Sequence, residues 1–219
     1  MKPRKSFTQS LEELQTDLIK MGEKTNKMIA KSLQALVERN EELAREVIEL
    51  DDVIDKMDLK IEKKCMFLIA TQQPMARDLR TIGTALKIIT DVERIGDYCV
   101  DIARKAIILA PFPPLKPYID IPKMANLTQK MLSEVLVAFK TKDLEKARQV
   151  AEMDHEVDRL YNLTFDEIMS YMLKSSENVE RGAHLILVAR YFERIGDHIT
   201  NIAERIFYMI KGKLVQLNV

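Results

Sequence analysis

Apolar residues recur along this chain at helical spacing from one end to the other. Leu11, Leu14, Leu18, Met21, Met28, Leu33 and Leu36 fall mostly three, four or seven residues apart. They predict a first long helix from about Thr8 to Arg39. Asn40 has the side chain of an N-cap, and Leu43, Val47, Leu50, Ile54, Met57 and Ile61 form the next stripe. That helix should end before Pro74, because a residue preceding proline is driven out of the helical region. A third stripe, on Leu79, Ile82, Leu86, Ile89, Val92, Cys99, Ala103 and Ile107, predicts a helix from about Ala76 to Ala110.

The pattern then breaks at Pro111-Phe112-Pro113-Pro114-Leu115-Lys116-Pro117, which holds four of the seven prolines. Proline lacks the backbone donor and fixes φ, so this stretch reads as a linker over 111–122. Three further helices are predicted from about Lys123 to Lys140, Lys142 to Leu173 and Asn178 to Lys211, with Ser175-Ser176-Glu177-Asn178 as the last turn. No strand-like alternation interrupts them. The predicted fold is all-α, two tandem antiparallel three-helix bundles over 1–110 and 123–219. Helices of about 30 residues would be roughly 45 Å long.

The two halves repeat one another. Glu93-Arg94-Ile95-Gly96-Asp97 recurs as Glu193-Arg194-Ile195-Gly196-Asp197, and Ile102-Ala103 as Ile202-Ala203. Farther upstream the offset is 103: Asp51 and Asp55 fall on Asp154 and Asp158. The chain is an internal duplication of a unit of about 100 residues.

The repeated residues include carboxylates one helical turn apart. Glu93, Asp97 and Asp101 form a ladder along one edge of an apolar face, and Glu193, Asp197 and Asn201 form its counterpart. Asp51 with Asp55, and Asp154 with Asp158, stand on the preceding helices. Like charges at this spacing destabilise a helix by a few tenths of a kcal/mol per pair, roughly. Two remedies are open: cations bridging the oxygens, or neutralisation by Arg94, Arg194, Arg104, Lys105 and Arg205 as surface ion pairs. Gly96 and Gly196, inside the ladders, mark a close helix approach. His155 and His198 read as surface residues and His184 as a hydrogen-bonded core histidine.

Composition narrows the function classes. The 219 residues carry 34 basic and 34 acidic side chains, so no basic surplus points to nucleic acid. With six glycines there is no phosphate-binding loop or dinucleotide fingerprint. No stretch approaches the apolar length of a membrane span, so direct membrane insertion is not expected. The basic N-terminus runs into a polar amphipathic pattern and does not read as a signal peptide. Cys65 and Cys99 read as buried, reduced thiols in a cytoplasmic protein. No nucleophile–base pair stands at helical spacing, so no catalytic residue is assigned.

Leu50-Asp51-Asp52-Val53-Ile54-Asp55, Asp91-Val92-Glu93-Arg94-Ile95-Gly96-Asp97, Pro113-Pro114-Leu115-Lys116-Pro117 and Tyr191-Phe192-Glu193-Arg194-Ile195-Gly196-Asp197 resemble the PhoU family over essentially the whole chain. The resemblance implies a multinuclear transition-metal cluster on the bundle surfaces: iron first, with zinc, nickel or manganese as alternatives. Its ligands would be Glu93, Asp97, Asp101, Glu193, Asp197 and Asn201, with Asp51, Asp55, Asp154 and Asp158 opposite. It also implies a non-enzymatic cytoplasmic adaptor that negatively regulates phosphate uptake and starvation signalling. The expected partners are the ATPase of the phosphate ABC transporter and a membrane sensor histidine kinase, with a homodimer as a further association. The competing readings are a carboxylate-bridged metalloenzyme and a metal-storage bundle.

Overall fold

A computed structural model describes residues 2–217, with side chains from Phe7 onward. Six long helices follow one another: α1 (Lys2–Glu38), α2 (Glu41–Gln72), α3 (Ala76–Leu109), α4 (Asp120–Thr141), α5 (Leu144–Met172) and α6 (Val179–Lys211). A single 3₁₀ turn, Ser176–Asn178, precedes α6. Among the described residues there is no strand.

The helix boundaries have local causes. Asn40 Oδ1 accepts from the Leu43 backbone N–H at 3.0 Å and starts α2. Its repeat counterpart, Asp143, accepts from both Glu145 and Lys146 N–H and starts α5. The residues just before these caps, Arg39 and Lys142, both take left-handed φ, at 56° and 58°. Helix α5 therefore begins two residues later than the stripe predicts, because Lys142 serves as the left-handed cap of α4. The duplication thus preserved a whole turn, cap and strain included. A side chain in that region costs roughly 1 kcal/mol, so Lys142→Gly is expected to raise the melting temperature by roughly 2–4 °C in thermal unfolding.

Helix α1 begins six residues earlier than predicted, and α4 three residues earlier. Pro3 and Pro122 are compatible with these starts because each lies in a first turn, where backbone donors have no intrahelical partner. The connection between halves is short and anchored. Leu115 and Tyr118 pack against the core. Lys116 is buried and ion-paired with Glu167 of α5. Arg39 donates to Ala110 O at 2.8 Å and Arg181 to Pro113 O at 3.2 Å.

Helices α1–α3 pack mutually, as do α4–α6. The most extensive pairing of all is between the halves, α3 against α6, with α1 against α4 beside it. Asn26 donates to Ser133 Oγ across that second seam at 2.8 Å. Buried residues from all six helices form one continuous apolar cluster. This suits a duplicated unit whose half alone would bury too little surface. Cys65 and Cys99 lie in it as free thiols, both pushed upward in pKa by burial. No helix of the described residues is long and apolar enough to cross a membrane.

The candidate carboxylate site

Antiparallel packing of α2 on α3 sets Asp51 opposite Gly96. A Cβ placed on Gly96 would lie 3.7 Å from Asp51 Oδ1. The same packing in the second half is tighter: a Cβ on Gly196 would lie only 2.3 Å from Asp154 Oδ1. The two mid-helix glycines are where a carboxylate from the neighbouring helix fits in.

Around Asp51 the other acids collect. Its carboxyl is pushed up to about 6, first by burial, then by the charges of Asp55 and Asp97. Glu93 is raised by burial and by Asp97, against the lowering effect of Arg94, with Asp55 and Asp58 adding to the rise. In the second half Glu193 is raised by burial and Asp197, and Asp158 by burial and Asp197. Asp154 is fully buried, and its Oδ2 accepts from Thr200 Oγ1 at 3.1 Å. Helices α2 and α3 thus bring Asp51, Asp55, Glu93 and Asp97 together. Helices α5 and α6 do the same with Asp154, Asp158, Glu193 and Asp197.

Asp101 and Asn201 turn elsewhere. Asp101 pairs with Arg104 at 3.3 Å and acts on Tyr191 across the α3–α6 seam. Asn201 donates to Asp91 Oδ1 at 3.4 Å across the same seam.

Arginines occupy the outer edge of each cluster. Arg94 lies 2.8 Å from Asp97 and 3.5 Å from Glu93, and Arg194 lies 2.7 Å from Asp197 and 3.6 Å from Glu193. Arg190, with no arginine counterpart at Thr90, adds a 2.6 Å pair to Glu193. In the first cluster Arg104, whose counterpart is Glu204, acts on Asp51 in its turn. Among the described residues, no three His, Cys, Asp or Glu side chains converge as a group that could hold a metal ion.

The donor set nevertheless suits a cation. It is all oxygen, which favours hard and borderline ions. Asp51 Oδ1 and Glu193 Oε2 are buried with no hydrogen bond. Such orphaned acceptors are costly in a protein interior, and a cation would satisfy them.

Asp51 sets a pH dependence in the chelated protein. Its folded pKa lies above the ordinary carboxylate value near 4. The folded state therefore holds the proton more tightly. Stability falls as pH rises from about 4 to about 6, and the full penalty stands above that. Asp51→Asn is expected to stabilise the chelated chain at pH 7 by about 1–2 kcal/mol, discounted for partial exposure, and to change nothing at pH 4. Chemical unfolding at the two pH values checks this, and an equal gain at both would refute it.

Two histidines differ from their sequence reading. His184 is half-buried, and its Nδ1 has no hydrogen-bond partner, so it is not a satisfied core histidine. His198 is not a free surface residue: its Nδ1 lies 2.9 Å from Asp91 Oδ1. His155 is exposed, as expected. With the offset of 100, the Asp91–His198 contact maps onto Tyr191–Tyr98, and those rings stack at 5.9 Å. The seam is thus pseudo-symmetric, with a histidine–carboxylate hydrogen bond on one side and an aromatic pair on the other.

Comparison with known proteins agrees with this architecture. The sequence model of the PhoU domain matches twice, over residues 18–106 and 121–206. A Clostridium acetobutylicum protein named phosphate-specific transport system accessory protein PhoU homolog is 40% identical over 98% of this chain and 99% of its own length. An Aquifex aeolicus protein of the same name is 42% identical over 94% of this chain and 93% of its own. The crystal structure of PhoU from Pseudomonas aeruginosa superposes with a TM-score of 0.90 at 36% identity, covering 94% of this chain and all of that one. The phosphate transport system regulatory protein PhoU from Streptococcus pneumoniae gives 0.88 at 29% identity, covering 95% of this chain and 99% of that one. With two matched domains, near-full-length relatives and a shared fold, this chain belongs to the PhoU family.

Proposed function

We propose that this protein is a cytoplasmic regulatory adaptor of phosphate homeostasis, which lowers phosphate uptake and starvation signalling when phosphate is plentiful. The observation that carries the reading is the near-full-length match to relatives named as accessory proteins of phosphate-specific transport. On this reading the helical faces bind the ATPase of the phosphate ABC transporter and a membrane sensor histidine kinase, and no reaction is catalysed. A deletion strain carrying a reporter for the phosphate-starvation response tests it. The expected result in phosphate-rich medium is faster phosphate uptake and an active reporter, both reversed by the cloned gene. Unchanged uptake and reporter would contradict the reading.

The carboxylate clusters belong to the same proposal as structural metal sites. Asp51, Asp55, Glu93 and Asp97 would hold cations in the first bundle, and Asp154, Asp158, Glu193 and Asp197 in the second. Asp101 and Asn201 would join only by turning away from the α3–α6 seam. Iron is the first candidate, with zinc, nickel and manganese as alternatives. A bound cation would supply positive charge to oxygens that now repel one another. Asp154 already ties α5 to α6 through Thr200, and a neutralised cluster would hold each helix pair more firmly.

A further inference from the structure

The duplication supplies an internal control for every surface: a face free of special duties should read alike in both halves. One face does not. On α2, Lys56, Leu59, Lys63 and Met66 follow at spacings of three, four and three, so they line one face, with Val53 and Phe67 flanking them. All six are exposed, and Leu59, Met66 and Phe67 each expose more than half their surface, at 51%, 56% and 62%. Among the described residues, neither Lys56 nor Lys63 enters an ion pair, whereas Lys60 and Lys64 beside them reach Asp17 of α1.

With the offset of 103, the same face of α5 reads Glu156, Arg159, Asn162, Asp166, Met169 and Ser170. It is polar and internally neutralised, with Arg159 forked onto Glu156 at 2.6 Å. Large apolar side chains are exposed beside that row, Leu163 in the place of Lys60 at 48% and Phe165 in the place of Glu62 at 36%, while Met169 within it is half-buried. Ile54 and Val157, Ile61 and Thr164, and Cys65 and Ile168 are buried at both members of each pair, so the offset is sound.

We infer that the Lys56–Phe67 face of α2 is a docking surface for an amphipathic helix with an acidic, apolar face, carried by the transporter ATPase. Three features fix that chemistry. The i, i+3, i+7 spacing matches the ridge of a second helix laid along α2. The large, flexible Met66 and the exposed Phe67 provide the apolar anchors that carry interface energy. Lys56 and Lys63, in no ion pair among the described residues, complement carboxylates on the incoming helix. A lipid surface fits less well, because Asp52, Asp55 and Glu62 are exposed on the same helix, while a membrane-lying helix is basic across its polar face. Burying this face would also account for Leu59 and Phe67 on α2 where α5 carries Asn162 and Ser170.

This inference rests on the adaptor reading above, and one experiment separates the two. Purified ATPase subunit is titrated against the full chain, against Lys56→Glu/Lys63→Glu, against Met66→Ser/Phe67→Ser, and against Arg159→Glu/Asp166→Lys as the α5 control. Anionic phosphatidylglycerol vesicles serve as a second probe. The expected result is binding by the parent chain, weakened about tenfold or more by either α2 variant and within about twofold by the α5 control. Added salt should weaken the parent and leave less to lose in the Lys→Glu variant. Circular dichroism confirms that the variants, all at exposed positions, remain folded. Equal binding by parent and α2 variants overturns the docking face and leaves the adaptor standing. No ATPase binding by the parent overturns both. Binding to vesicles but not to the ATPase, lost in the α2 variants, makes the face a membrane contact and overturns this proposal.

Discussion

Removing divalent cations with a chelator is expected to lower the melting temperature by roughly 8–16 °C against protein saturated with the preferred metal. The magnitude follows from mass action: at a free concentration 1,000 times the dissociation constant, a ligand of the folded state adds about 4 kcal/mol. A chain of this length shifts by about 2–4 °C per kcal/mol. The source is the clustered carboxylates, of which Asp51, Glu93, Asp158 and Glu193 are raised by burial and by neighbouring acids. Arg94 and Arg194 compensate them only at the exposed edge, where an ion pair is worth little. Differential scanning calorimetry with manganese, iron or zinc, each against chelator, gives the answer. A melting temperature indifferent to every cation would leave the arginines as sufficient partners. The shift should shrink most in Asp51→Asn/Asp97→Asn, because the first cluster has no counterpart of Arg190.

The twin glycines should respond in opposite directions to one substitution. Gly96→Ala adds a methyl group whose nearest neighbours stand at ordinary contact, 3.7 Å from Asp51 Oδ1 and from Ile54. The gain in helix propensity of about 1 kcal/mol then shows as a small rise in melting temperature. Gly196→Ala makes the same gain but drives its methyl to 2.3 Å from Asp154 Oδ1. Asp154 is fully buried and held by Thr200, so it cannot swing out of the way. The net cost is expected to be about 2 kcal/mol, a fall of roughly 4–8 °C. Thermal unfolding of both variants side by side decides it. Shifts of the same sign would mean that the two halves pack alike at their motifs despite the measured spacing.

Most of the fold could be read in advance because its causes are local. The 3.6-residue stripes, Asn40, Pro74 and the proline run at 111–117 each act through neighbouring residues. The repeat then doubled the stripes and the cap, with Asp143 in the place of Asn40. What stayed hidden depends on how elements meet. The third rung of each ladder is the clearest case. Each i,i+4 step turns about 40° around the helix, so Asp101 and Asn201 have rotated about 80° from the first rung and face the seam. The Asp91–His198 pair was hidden for a different reason. It joins positions at which the two copies differ, and only the register of α3 on α6 brings them together. The burial of Lys116 against Glu167 likewise depends on where the linker lies across α5. The close approach at Gly96 and Gly196 was legible in kind, but its asymmetry was not, since the pentapeptides are identical.

The central claim is that the two carboxylate clusters are cation sites in a phosphate-regulating adaptor. Elemental analysis of untagged protein, purified without chelators beside an Asp97→Ala/Asp197→Ala double variant, tests it most directly. The account predicts tightly held iron, zinc, nickel or manganese in the parent chain and its loss in the variant, with helical content retained. A metal-free parent chain that also takes up none of these ions on dialysis would contradict it, and would leave the clusters as acidic surfaces compensated by neighbouring arginines such as Arg94, Arg190 and Arg194.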